Sequence, residues 1–259
     1  MDLVNSIKKI SKIYRIQNWY HYLGFVILGF ILKHSLGIAI FFNLSLAGFL
    51  LAYAYSLNDF YDKKMKIRFF LFPLFYVLLV LIFFNVIQII VSSLFLFVVT
   101  TYSSEPFRFK AKPFISSICN GIGFSLLFLL GYFYVPTIDL SGILFFLLLF
   151  SLGMIAQFIH EVVHMKKDKI NKIITTTVFL GKNRVKKLFY FFLITAILIT
   201  TWLFYLETVN LFFVFSIAFF TIFFIFKIMK KGVDESLRKK YKVFGIIVGI
   251  FCCLSLLIR

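Results

Sequence analysis

Ala54-Tyr55-Ser56-Leu57-Asn58-Asp59-Phe60-Tyr61-Asp62-Lys63-Lys64 closes an apolar run that begins at Leu36. A run of that length is a candidate membrane helix, which puts the polar residues at its end on a membrane edge. The chain of 259 residues has only ten Asp and Glu, so an amide and two carboxylates side by side are not surface decoration. Continued as a helix, Asn58 and Asp62 fall at i and i+4 on one face, with Asp59 one residue round. Oxygen ligands on one wall suit a hard cation such as Mg²⁺, which commonly binds through one or two carboxylates plus substrate phosphates. A second wall has to come from elsewhere in the chain.

The rest of the sequence supports the membrane reading. It is 62% apolar with a mean hydropathy of +1.00 and 39 phenylalanines, against roughly 45–50% apolar in ordinary globular chains. The expected class is all-α and integral to the membrane, folded as a single domain over residues 1–259. Nine apolar runs are candidate spans: Trp19–Leu32, Leu36–Leu57, Phe69–Phe84, Val86–Thr101, Ser116–Val135, Leu140–Ile159, Leu188–Leu206, Leu211–Ile228 and Val243–Ile258. Cys119, Cys252 and Cys253 lie inside apolar runs without metal-ligand spacing and read as packing or lipid-facing residues. The polar, basic opening is not followed by a small-residue cleavage pattern, so no cleavable signal peptide is expected.

The breaks between spans are of two kinds. Those at Lys33-His34-Ser35, around Asn85, at Pro136–Asp139 and at Glu207–Asn210 are short and nearly uncharged. The others are basic. Lys8, Lys9, Lys12 and Arg15 precede the first span, and Lys63, Lys64, Lys66 and Arg68 follow the second. Arg108, Lys110 and Lys112 follow the fourth. Lys166, Lys167, Lys169, Lys172, Lys182, Arg184, Lys186 and Lys187 follow the sixth, and Lys227, Lys230, Lys231, Arg238, Lys239, Lys240 and Lys242 follow the eighth. These are 26 of the 28 Lys and Arg, and with nine alternating spans all fall on one side. Only Lys33 and Arg259 fall opposite. The positive-inside rule makes that side cytoplasmic, which places the chain in the cell (cytoplasmic) membrane with its polar motifs facing the cytoplasm. The net charge of +18 is thereby accounted for by topology and attraction to anionic lipid, and nucleic acid is not an expected partner.

Three stretches on the basic side carry chemistry. Asn58–Asp62 is the first. The second is Gln157-Phe158-Ile159-His160-Glu161-Val162-Val163-His164-Met165-Lys166-Lys167-Asp168. Its Glu161, His164 and Asp168 sit at i, i+3 and i+7, again on one helical face. Two such stripes facing each other could hold divalent cations with a diphosphate between them. The third is Tyr102-Ser103-Ser104-Glu105-Pro106-Phe107-Arg108-Phe109-Lys110, where Arg108 can grip phosphate oxygens bidentately and Lys110 as a point charge.

In these motifs and their order the chain resembles the UbiA superfamily of intramembrane prenyltransferases. Asn58–Asp62 is similar to that family's NDxxDxxxD, and Tyr102–Lys110 to its YSxPPxRxK loop, followed by Asn120-Gly121 and Gly131-Tyr132. Glu161–Asp168, then Thr175, Thr176, Thr177, Leu180 and Gly181, is similar to DxxDxxxD followed by T…LG. Arg15, Asn18 and Trp19 resemble the family's entry to the first helix. The resemblance implies nine helices around a central cavity, with Mg²⁺ holding an isoprenoid diphosphate. Loss of diphosphate would leave an allylic cation for capture by a lipophilic acceptor, an aromatic ring or an alcohol. By position, Asn58, Asp59, Asp62, Glu161, His164 and Asp168 would ligate metal or orient its ligands, with Asp62 and Asp168 central to catalysis. Tyr102, Arg108 and Lys110 would hold the diphosphate. The pattern is broken at Lys66, His164 and Glu161, where the family has Asp; Lys66 could contact diphosphate directly.

Two other classes fit parts of the sequence. His160-Glu161-Val162-Val163-His164 spells HExxH, in which two His bind Zn²⁺ and Glu is general base; Asp168, Asp59 or Asp62 would supply the third ligand of an intramembrane protease. That reading leaves Asn58–Asp62 and Tyr102–Lys110 without a role. A non-catalytic lipid-binding protein on the same scaffold, or a cyclase that quenches the cation internally, would use the same motifs.

Overall fold

A computed structural model describes residues 2–33 and 37–258. His34 and Ser35 of the first expected break, Leu36 at the start of the second span, and Arg259 lie outside the described residues. All regular structure among the described residues is helical, in twelve α-helices. These are α1 (Asp2–Ile13), α2 (Ile16–Trp19), α3 (Leu23–Lys33), α4 (Ala39–Tyr61), α5 (Arg68–Val80) and α6 (Val86–Ser103), then α7 (Ile115–Tyr132), α8 (Leu140–Ile170), α9 (Thr176–Leu180), α10 (Lys182–Tyr205), α11 (Leu211–Lys231) and α12 (Glu235–Leu257).

Each of the nine apolar runs contains a helix. Among the described residues seven helices (α4, α6, α7, α8, α10, α11 and α12) are long and apolar enough to cross a membrane. The first and third runs give shorter pieces. Residues Tyr20–Tyr22 form a 3-10 turn that leaves α3 only 11 residues, and α5 with the 3-10 turn after it makes the apolar segment Arg68–Phe83. Three of the short breaks hold helix starts. Asn85, Asp139 and Asn210 each accept a hydrogen bond from the backbone N–H three residues on, at 2.9, 2.8 and 3.0 Å, which caps α6, α8 and α11. The sixth span runs past its expected end at Ile159 to Ile170, because His160–Ile170 contains neither Gly nor Pro to stop it.

The chain packs as two compact units, Met1–Arg108 with Leu126–Thr137, and Phe109–Ser125 with Ile138–Arg259. In the first, α3 and the last turns of α7 touch backbone to backbone. A methyl group on Gly131 would overlap the Val26 carbonyl oxygen, and one on Gly29 would overlap that of Phe128 and lie 2.7 Å from the Tyr132 nitrogen. Small residues at such crossings let membrane helices pack closely where no hydrophobic drive joins them. Gly131→Ala should therefore destabilise the protein by about 2 kcal/mol, read as a lower melting temperature in detergent; an unchanged midpoint would mean the crossing gives way freely. A buried amide cluster ties the same unit together. Gln88 donates to Asn43 (2.7 Å) and to the Leu130 carbonyl (2.8 Å), and Asn85 donates to the Phe133 carbonyl (2.7 Å).

The second unit repeats the device, with a Cβ on Gly153 falling 3.0 Å from the Gly121 Cα. Its interior is packed with fully buried Phe145, Phe158, Phe189, Phe213 and Phe224. Many other phenylalanines, among them Phe72, Phe75, Phe215 and Phe219, face outward, as lipid-facing residues do.

Candidate active site

The first acidic stretch lies at the C-terminal end of α4. The helix closes as a Schellman turn, with Lys63 N–H donating to the Phe60 carbonyl (2.9 Å) and Lys64 N–H to that of Asp59 (2.8 Å), and Lys63 left-handed at φ 57°. Asp62 is the residue that ends the helix. The two carboxylates are in different surroundings. Asp59 is 7% exposed and accepts from Arg15 Nη1 at 3.0 Å. Arg15 is itself held by Asn18, whose amide oxygen, turned toward the guanidinium, accepts from Nε and Nη2 at 3.0 and 3.1 Å. The guanidinium lies 5.5 Å from the centre of the Tyr55 ring. Asp62 is more exposed, with Lys64 Nζ 3.1 Å away. Asn58 is half-buried beside them. Lys66 is exposed and off the helix, in the turn leading to α5.

The basic loop follows α6, whose Thr100 hydroxyl is 2.9 Å from the Tyr53 hydroxyl of α4. Tyr102 is half-buried on the last turn of α6. Past a cis Glu105–Pro106 peptide, Arg108 N–H donates to the Ser104 carbonyl (2.7 Å) and its exposed guanidinium meets Glu105 at 3.1 Å. Lys110 lies in a 3-10 turn, Phe109–Ala111, and is half-buried.

In the second unit Glu161, His164 and Asp168 all fall on α8, as their spacing predicts, but they meet different neighbours. Glu161 is 1% exposed and sits in a cradle of donors. Oε1 accepts from the Ser116 hydroxyl (2.9 Å), the Ser117 hydroxyl (3.0 Å) and the Gln157 amide (3.1 Å), and Oε2 accepts from Thr177 N–H (3.1 Å). Thr176, one residue before, is 2.9 Å from the Ser117 hydroxyl and accepts from Phe114 N–H at 2.9 Å. The Thr-rich stretch thus clips α9 to the start of α7 and to α8. Three of these donors converge on Oε1 and one on Oε2. His164 lies beside a guanidinium. Its Nε2 is 2.9 Å from Arg238 Nη1, which is also 3.4 Å from His160 Nδ1. Asp168 is half-buried and holds the same place in the last turn of its helix as Asp59 does: Ile173 N–H donates to its backbone carbonyl at 2.9 Å, and Lys172 is left-handed at φ 55°.

Asp59 and Asp168 therefore occupy the same position in two helix C-termini, with Asp62 three residues beyond the first. A helix C-terminus carries partial negative charge, so a carboxylate there is disfavoured by about 0.3–1 kcal/mol unless a cation comes to it. Arg15 answers that demand for Asp59. In the sequence Arg15 stands out only as part of a helix entry, and Arg238 only as one basic loop residue among many; Ser116, Ser117 and Gln157 carry no signal there.

Nothing in the geometry favours the HExxH reading. A zinc ion would need the imidazole lone pairs on which the Arg238 guanidinium converges, and the Glu161 base is buried in its cradle. Among the described residues no three His, Cys, Asp or Glu side chains converge as a metal-holding group. His160→Ala should leave turnover within about twofold of wild type and the purified protein without stoichiometric zinc by elemental analysis; loss of activity together with one bound zinc would restore the protease reading.

The sequence model of the UbiA prenyltransferase family matches residues 64–251. The match takes in Tyr102–Lys110 and Glu161–Asp168 and begins just after Asp62. No curated protein matches the chain. Among solved structures, a UbiA homolog from Archaeoglobus fulgidus has the same fold, with a TM-score of 0.77 at 20% identity over 96% of this chain and 99% of that one. The same homolog bound to GPP and Mg²⁺ gives 0.76 at 18% identity over 96% and 99%. A structure described for digeranylgeranylglyceryl phosphate synthase in membranes gives 0.78 at 18% over 98% and 100%. The family match covers well over half of the sequence, and the helical architecture agrees with it: the chain is an integral membrane protein of the UbiA prenyltransferase family.

Proposed function

We propose that this prenyltransferase takes an isoprenoid diphosphate and passes its isoprenoid group to a lipophilic acceptor, with Mg²⁺ as cofactor, at the cytoplasmic edge of the cell membrane. In this reading residues 1–259 act as one catalytic domain. The observation that carries it is the pair of helix C-termini, α4 and α8, that each carry a carboxylate in or next to the last turn, where the helix dipole disfavours one. Such ends attract cations, and the donors there are oxygens suited to Mg²⁺, with Asn58, Asp62 and Asp168 the residues that would hold it. When bound, Mg²⁺ neutralises charge on the departing diphosphate. Arg108, Lys110 and Lys66 bind diphosphate oxygens by charge, and Tyr102 donates a hydrogen bond to them. Asp59 has a supporting part: paired with Arg15, it fixes the end of α4 from which Asn58 and Asp62 project. Glu161 and His164 likewise hold α8 in place rather than touch substrate. The C–O bond to diphosphate breaks with its electron pair on the leaving group, and the acceptor forms the new bond and gives up a proton. Support for the donor class comes also from the Archaeoglobus fulgidus homolog, bound to GPP and to DMAPP with Mg²⁺.

The test is incubation of the purified chain in lipid nanodiscs with geranylgeranyl or farnesyl diphosphate and Mg²⁺, following diphosphate release and the prenylated lipid by mass spectrometry. Release that stops with EDTA and returns with Mg²⁺ is the expected result. Donor binding without release at either chain length would overturn it in favour of a lipid-binding role.

A further inference from the structure

Helix α1 has no part in the site above, yet its sequence is ordered. Leu3, Ile7 and Ile10 recur at i, i+4 and i+7, while Lys8, Lys9 and Lys12 fill the opposite arc. An apolar stripe with a basic back is the pattern of a helix lying in the membrane interface, its lysines among anionic headgroups. At 12 residues it is about 18 Å long, too short to span. Ile10 is 51% exposed, and the three lysines are exposed as well. A protein interior would cover Ile10; a bilayer surface covers it without a protein partner.

A short, pinned connection joins α1 to the site. Only Tyr14 separates the helix from Arg15, which turns the chain through a left-handed conformation at φ 52°. The Trp19 indole, buried, donates to the Tyr14 carbonyl at 2.7 Å and fixes that turn. Arg15 then reaches Asp59 at 3.0 Å. With so little chain between them, α1 cannot change its tilt without straining the Arg15–Asp59 pair.

We propose that α1 docks on an anionic lipid surface, on the side of the membrane that carries the basic loops, and that this docking sets Arg15 as a positioning residue for Asp59. The second clause rests on the function proposed above; the first does not. Charge identifies the occupant as the leaflet itself: lysines on one arc, no acid after Asp2 in the helix, and 26 of 28 basic residues assigned to that side by the spacing of the spans.

The experiment is hydrogen–deuterium exchange of the full chain in nanodiscs of phosphatidylcholine alone and with about 30% phosphatidylglycerol. Amides of α1 should exchange at least about tenfold more slowly in the anionic discs, and K8Q/K9Q/K12Q should lose that difference while exchange in α8 stays unchanged. Equal protection of α1 in both lipids, or protection indifferent to the lysines, would overturn the docking. For the second clause, wild type should show a lower KM for the prenyl diphosphate in anionic discs, at similar kcat. Arg15→Gln should abolish that lipid dependence while α1 keeps its protection. Lipid-dependent KM persisting in Arg15→Gln would overturn the coupling while leaving both the docking and the proposed reaction standing.

Discussion

Asp62→Ala and Asp168→Ala should each lower prenyl transfer by at least about 10²–10³-fold while leaving the melting temperature within about 2 °C of wild type. The stability half of this expectation rests on where the carboxylates sit. Each is at the C-terminal end of a helix, where the dipole works against it, so its removal costs the fold little and can even favour it. Activity is read as diphosphate release at saturating donor, and stability as the thermal midpoint of the same preparation. Full activity in either variant would remove that residue from the metal set.

Glu161→Ala should behave in the opposite way. Its carboxylate is buried and satisfies the hydroxyls of Ser116 and Ser117, the Gln157 amide and the Thr177 N–H. Removing it strands several buried donors at once, at about 1–3 kcal/mol for each left unsatisfied. The expected result is a loss of about 3 kcal/mol or more, seen as a clearly lowered melting temperature, with activity lost in proportion to folded protein. A variant as stable as wild type but inactive would return Glu161 to the metal site and show that the hydroxyl cradle opens in the working enzyme.

The contrast between these carboxylates shows how far the sequence can be read. Composition and the spacing of the apolar runs determine helices and their order, because the energy concerned, burial in lipid, depends on each segment alone. The breaks at Asn85, Asp139 and Asn210 are visible for the same reason: a cap is satisfied within three residues. The end of α8 is not, since the apolar run stops at Ile159 while the helix continues to Ile170 through residues that include neither Gly nor Pro. Lys66 falls on the acidic stripe if the helix is continued, whereas α4 stops at Tyr61 and leaves Lys66 in the turn. The partners of the site residues lie beyond reach. Periodicity places Glu161, His164 and Asp168 on one face of α8 but does not say that Ser116 and Ser117 meet the first and Arg238 the second, across 45, 44 and 74 positions. The same holds for Arg15 and Asp59, 44 positions apart.

The central proposal is that Asp62 and Asp168 are both required in one turnover. It is tested most directly by a double-mutant cycle on diphosphate release, with Asp62→Ala, Asp168→Ala and the pair measured in the same nanodiscs with Mg²⁺. Groups that act as a unit are strongly non-additive, so the double variant should be little slower than the slower single one. Losses that multiply, or a single variant that releases diphosphate at the wild-type rate, would contradict the claim.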